Sequence, residues 1–388
     1  MSEPAPGIPV TYYHSVGDHP RPRPKSFLTM ETAFFEAQIF ELGRLGYATT
    51  DLRAVHDHVS GRKILSGKHV VLTFDDGFLD NWTTVFPLAK KHGFKFTVVV
   101  NPEFVDPRPI VRPTLEDVWS GKIRQEDLEW WGMMSWDEMR LMEASGLVDI
   151  QSHALTHTWH HAGPEVIDFH HPDGPYHWLV WNAHPETKPF FYSDYREDLV
   201  SYGTPVHRFR KSIQARRWIP DARHGAAVIE HVGANGGKSF FDRAEWKAEL
   251  LAVHSRVRAA LGDQGRFETD AEHEARIREE VAGSKRIIEE KLGKRVEFIC
   301  WPGGGETELA RRIALESGYL ATTKGTAVNR PGGDPSHISR VASWFPGRAP
   351  DFLKWWMFRG QMERGRGDRT PAALFCGALS RLRKSAAP

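Results

Sequence analysis

Two adjacent carboxylates, two histidines four residues apart and a glycine run behind a proline are the segments of this 388-residue chain that could do chemistry. The first is TFDDG (73–77), which sets Asp75 and Asp76 at the end of an apolar run. The second is SHALTH (152–157), in which a turn of helix or a tight loop would aim His153 and His157 at one ion. Two neutral imidazoles and a carboxylate are the three-ligand set of a catalytic zinc site, with a position left for water. Each piece has a plainer reading. Paired Asp residues often cap a helix, and a His–x₃–His spacing alone is weak. The third segment, WPGGG (301–305), brings Trp301, Pro302 and Gly303. Glycines let a backbone approach a ligand closely, although a loop of this kind can also have no role.

Only the fold can bring these segments together. Residues 8–14 read as a strand, and Phe34, Phe35, Ile39, Leu42 and Leu45 have helical spacing that Gly46 stops. HVVLTF (69–74) is a continuous apolar run typical of a parallel strand covered on both faces. A helix over about 79–92, kinked at Pro87 and closed by Gly93, leads to the strand FKFTVVV (94–100). Strand, helix and strand with short connections form a βαβ unit, hence a parallel sheet or barrel. The alternation continues through a helix at 136–145, a strand at 147–151, a helix at 275–293, a strand at 296–300, a helix at 308–318 and a strand at 319–323. All three segments therefore follow strands, at the end of a parallel sheet where active sites form.

Residues 158–270 break the pattern and read as an insertion, partly helical near 242–260 and a candidate substrate lid. The chain has 14 Trp and 20 His, and many of them crowd into the start of this stretch. Its aromatics either stack on sugar rings or form a small core of their own. Its basic run, Arg208, Arg210, Lys211, Arg216 and Arg217, either meets phosphate or is a solvated face. The tail beyond 345 mixes aromatic and basic residues, as a helix folded back on the barrel or a membrane-surface element would.

Taken together, TFDDG, SHALTH and WPGGG resemble the motifs of the polysaccharide deacetylases of carbohydrate esterase family 4, which share a NodB-type domain. The segments YYHSV (12–16) and GYLATTKGTAVNRPGGDPSHISRV (318–341) resemble the branch acting on poly-N-acetylglucosamine. The resemblance implies an α/β fold, a distorted (β/α)₇ TIM-like barrel. The barrel would comprise residues 1–157 and 271–345, with 158–270 inserted and 346–388 as a C-terminal extension. It implies hydrolysis of an N-acetyl group on an N-acetylhexosamine-containing carbohydrate, with Asp75 as general base and Asp76, His153 and His157 holding one divalent metal. Zinc is expected, with cobalt, nickel or iron as substitutes. The Gly303 amide would be an oxyanion donor. Two departures stand out. Cys300 lies where family members often carry an Arg that orients the base, and no Leu–x–His follows residue 305. His337 sits in a surface-like context, so His14, at the end of the first strand, is the candidate general acid.

A net charge of +1, from 51 basic and 50 acidic residues, gives no global argument for a nucleic-acid partner. Two cysteines, Cys300 and Cys376, give no disulfide framework. The absence of an export signal or a spanning segment leads to the expectation of a cytoplasmic protein, with peripheral membrane association open and oligomeric state undetermined. The rival functions are hydrolysis of another non-peptide amide, such as a formamide, and an inactive carbohydrate-binding homologue.

Overall fold

The computed structural model describes residues 5–18, 28–262, 265–325, 327–343 and 350–385. In chain order the elements are β1 (Val10–Tyr13), α1 (Thr32–Arg44), β2 (Tyr47–Thr49), α2 (Leu52–Val59), β3 (Lys68–Asp76), α3 (Phe86–His92), β4 (Phe96–Val100), α4 (Trp136–Ala144) and β5 (Val148–Ser152). The insertion contributes a hairpin, β6 (Trp159–Phe169) and β7 (Pro205–Lys211), and the helices α5 (Ala222–Ala234) and α6 (Trp246–Leu261). Then follow α7 (Asp270–Arg278), α8 (Ser284–Leu292), β8 (Phe298–Cys300), α9 (Glu308–Glu316), β9 (Ala321–Thr323), β10 (His337–Ile338), β11 (Val341–Ala342), α10 (Asp351–Arg366) and α11 (Pro371–Ser385).

One parallel sheet runs β10–β9–β8–β5–β4–β3–β1–β11, with β2 added beside β3. Its two outermost strands, β10 and β11, are separated in sequence only by Ser339 and Arg340. The sheet therefore curls until its ends meet across that dipeptide, giving the expected distorted (β/α) barrel. Val70, Val71, Leu72 and Phe74 of β3 are all fully buried, as a central strand covered on both faces requires.

The helices differ from expectation in one informative way. The irregularity placed at Pro87 begins earlier, as a π-helical turn over Asn81–Val85, and Pro87 lies in the first turn of α3, where its missing N–H costs nothing. A second π-turn, Glu279–Gly283, divides the helix expected over 275–293 into α7 and α8. Such wider turns often accompany functional sites. The first begins five residues after Asp76, and the second contains Glu280, which reaches the histidine loop.

The insertion is neither a loose lid nor wholly self-contained. Phe169, Val228, Val232, Phe240, Leu250 and Val253 form its own core. Trp178, Trp181, Phe191 and Val206 instead pack with Phe78, Phe104 and Met133 of the barrel's upper loops. Arg208 and Arg216 of the basic run pair with Glu165 and Asp270. Beyond the expected boundary near 345, which lies outside the described residues, α10 folds back onto the barrel: Met357, Phe358 and Met362 belong to its main core. No described helix is long and apolar enough to cross a membrane.

The segment between β4 and α4 is fastened by a buried ion pair. Ser135 caps α4 in a capping box with Glu138. Glu138, wholly buried, also takes Nε and Nη2 of Arg112 at 2.8 and 2.9 Å. Removing Glu138 leaves the buried Arg112 guanidinium with only the more distant Asp106 carboxylate, 3.6 Å away, so Glu138→Ala should cost about 3 kcal/mol in urea denaturation. A loss under about 1 kcal/mol would show that the pair contributes little.

Candidate active site

The ends of β1, β3, β5 and β8 converge on a cleft of about 560 Å³, a usual size for a ligand site. Asp75, Asp76, His14, His153 and His157 all line it, as do Trp301, Pro302 and Gly303. The sequence-predicted residues are thus brought to one place.

Asp76 and the two histidines form a compact donor set. Nε2 of His153 and Nε2 of His157 lie 3.4 and 3.3 Å from the same Asp76 carboxylate oxygen. Donors about 2.0–2.1 Å from a tetrahedral ion are about 3.4 Å apart, so this spacing fits a zinc-type cation. The second shell agrees. Nδ1 of His153 lies 3.0 Å from the Cys300 carbonyl, which can only accept, so Nδ1 carries the hydrogen and Nε2 presents its lone pair. A second grouping, Asp75 with His153 and Cys300, is also compact. It is the poorer candidate, because Asp75 is engaged by an arginine and burial pushes the Cys300 thiol up to about 12, keeping it protonated.

Backbone strain marks the same residues. Asp76 (φ 74°), Ala154 (φ 60°) and His157 (φ 42°) all adopt left-handed conformations that side chains disfavour. The histidine loop is held in that shape by partners from three directions. Asn101 Nδ2 donates to the carbonyls of His153 and Ala154. Glu280 accepts from the amide and hydroxyl of Thr156. Lys188 of the insertion, 1% exposed, donates to the Thr156 carbonyl at 2.8 Å and pairs with Glu103. The SHALTH segment is therefore a clamped loop and not a turn of helix.

Asp75 has a partner that the sequence reading missed. Nη1 and Nη2 of Arg340 reach its two carboxylate oxygens at 2.6 and 2.9 Å, a bidentate pair. Burial alone would raise the Asp75 pKa, but the charge of Arg340, then His153, the Arg340 hydrogen bonds and His14 overcome it and hold the carboxyl well below the usual range. The guanidinium also lies over the Tyr12 ring, 5.0 Å from its centroid. The guanidinium expected near Asp75 but absent at Cys300 is thus supplied from the barrel seam. Cys300 occupies the vacated place, its Sγ 4.0 Å from Asp75. The signal that could have located Arg340 was the missing cation itself: a buried carboxylate at a strand end needs one.

His14 points its Nε2 to within 4.0 Å of Asp75. His337 instead bonds the Lys324 carbonyl and is not among the lining residues. In the WPGGG loop Trp301 is buried and donates to Glu306. Gly303 is left-handed (φ 54°), and its carbonyl accepts from Lys211 of the insertion.

Both the sequence and the fold are similar to those of known proteins. Residues 62–172 match the polysaccharide deacetylase family model. A 155-residue stretch is 29% identical to the poly-beta-1,6-N-acetyl-D-glucosamine N-deacetylase of Escherichia coli (strain K12), covering 39% of this chain and 21% of that one. Another, of 91 residues, is 32% identical to YxkH of Bacillus subtilis (strain 168), covering 24% of this chain and 30% of that one. The matched stretches thus span less than a third of these relatives. In fold, the chain is similar to a de-N-acetylase from Aggregatibacter actinomycetemcomitans, with a TM-score of 0.53 at 18% identity over 88% of this chain and 96% of the other. The resemblance carried by TFDDG and SHALTH is borne out, since both segments lie within the stretch that matches the polysaccharide deacetylase family model.

Proposed function

We propose that this protein is a metal-dependent hydrolase that removes the acetyl group from an N-acetylated amino sugar of a glycan or glycan precursor. The observation that carries the reading is the pairing of two differently committed carboxylates. Asp76 joins two imidazoles in a cation-sized donor set, and its neighbour Asp75 is kept off that set by Arg340.

A cation held by Asp76, His153 and His157 would polarise the acetamide carbonyl and make water easier to deprotonate. Asp75 takes the proton of the attacking water. Arg340 keeps that carboxylate ionised and turned toward the cleft, and makes it a weak base suited to an acidified water. The Gly303 amide is the proposed second donor to the developing oxyanion, since the amides of Gly304 and Gly305 bond the carbonyls of Trp301 and Pro302. His14 is the proposed general acid: it delivers a proton to the amine nitrogen as the C–N bond breaks, which the poor leaving group requires. The products are acetate and the free amino sugar.

Incubation with N-acetylglucosamine oligomers should release acetate in proportion to added zinc or cobalt. Release of formate from N-formyl sugars in its place would move the reading to a different amide. Asp75→Asn should lose about 10²–10⁴-fold in kcat while still binding metal, whereas His153→Ala should lose the metal itself by elemental analysis.

Replacing Arg340 by Met removes the charge that outweighs burial at Asp75. The Asp75 pKa then rises, so the acid limb of the kcat/KM profile should move to higher pH, with a fall of about 10²-fold at its maximum. An unshifted limb would show that Asp75 is not the titrating base. Lys188→Met should weaken zinc affinity about 10–100-fold by isothermal titration, since it releases the loop that presents His157. Unchanged affinity would show that Glu280 and Asn101 hold the loop without it.

A further inference from the structure

The cleft wall contains a cation that no carboxylate among the described residues neutralises. Strand β7 ends at Lys211, and its register sets that residue directly opposite Trp159, the first residue of β6. Opposed residues of an antiparallel pair leave the same face of the hairpin, and both line the cleft beside Asp75 and His157. The other cations of the wall are already paired. Arg340 is neutralised by Asp75, and Lys324 lies 2.8 Å from Glu306. Lys211 makes no ion pair among the described residues; its Nζ donates to the Gly303 carbonyl at 2.6 Å, using one of three N–H groups. It is half-buried, and burial is the influence that lowers its pKa.

An ammonium group withdrawn from water without a counter-ion is costly, and an anion entering beside it recovers that cost. Trp159 adds an aromatic surface of the kind that covers the apolar face of a sugar ring. The insertion thus brings an aromatic face and a bare cation to the cleft as a side-by-side pair, starting two residues after His157. We propose that Trp159 and Lys211 form a subsite for an acidic substituent, a phosphate or a carboxylate, on the N-acetylated sugar, so that the insertion selects anionic substrates over neutral ones. This rests on the deacetylase reading above.

The test is steady-state acetate release by the metal-loaded full chain from four sugars: N-acetylglucosamine, its 1-phosphate, its 6-phosphate and N-acetylmuramic acid. At least one acidic sugar should exceed the neutral one about tenfold in kcat/KM, mainly through KM, as expected of one charge-assisted contact. Lys211→Met should lower that acidic-to-neutral ratio about tenfold, and Lys211→Arg should keep most of it. The phosphates and the carboxylate separate the two sources of charge. A ratio near one in the parent protein, or a ratio unmoved by Lys211→Met, overturns the subsite and leaves the deacetylase reading intact. Release of acetate from none of the four sugars or from neutral oligomers overturns both.

Discussion

The Arg340–Asp75 pair is the interaction on which the rest depends. It joins the dipeptide between the two outermost strands of the sheet to the central strand that carries both carboxylates. Closing the barrel and setting the ionisation of the proposed base are therefore one event. A buried pair of this kind is not a source of stability in itself, because desolvating two charges offsets most of their attraction. Its value lies in direction: a bidentate guanidinium fixes the plane of the carboxylate and leaves the neighbouring Asp76 to the imidazoles.

The local pattern of residues was sufficient for the parts of the fold governed by local rules. The apolar run ending in TFDDG, the glycine-terminated helices and the βαβ rhythm all follow from periodicity and capping, and the strands and helices of the barrel lie close to where those rules put them. The donor set was legible for the same reason, since both carboxylates and both histidines sit directly behind strands. What could not be read was long-range. Arg340 lies 265 positions from Asp75 and Lys188 lies 32 from Thr156. No spacing rule connects them. Both meet their partners only because the sheet curls and the insertion docks. The π-turns escaped as well, because each is a single widened turn of five residues leading straight into an ordinary helix, too short to set a period of its own.

The insertion changes character once its contacts are known. Its aromatics divide between a core of its own and one shared with Phe78, Phe104 and Met133. Lys188 reaches beneath the histidine loop, while Trp159 and Lys211 stand at the cleft wall. An element that looks dispensable to the barrel topology thus bears on two different requirements of the site, the shape of the loop that offers His157 and the charge of the wall facing the substrate.

The position of Arg340 also sets an order on the making of the site. Every residue of the proposed donor set, together with Asp75 and His14, is synthesised within the first 157 positions, yet the guanidinium that orients Asp75 arrives after more than half of the remaining chain. A nascent polypeptide can therefore expose the whole proposed donor set while Asp75 is still without its guanidinium partner. On the proposed reading, hydrolytic competence is a property of the finished barrel, and a chain that stalls before the seam is made would hold the proposed ligands with Asp75 still unpaired.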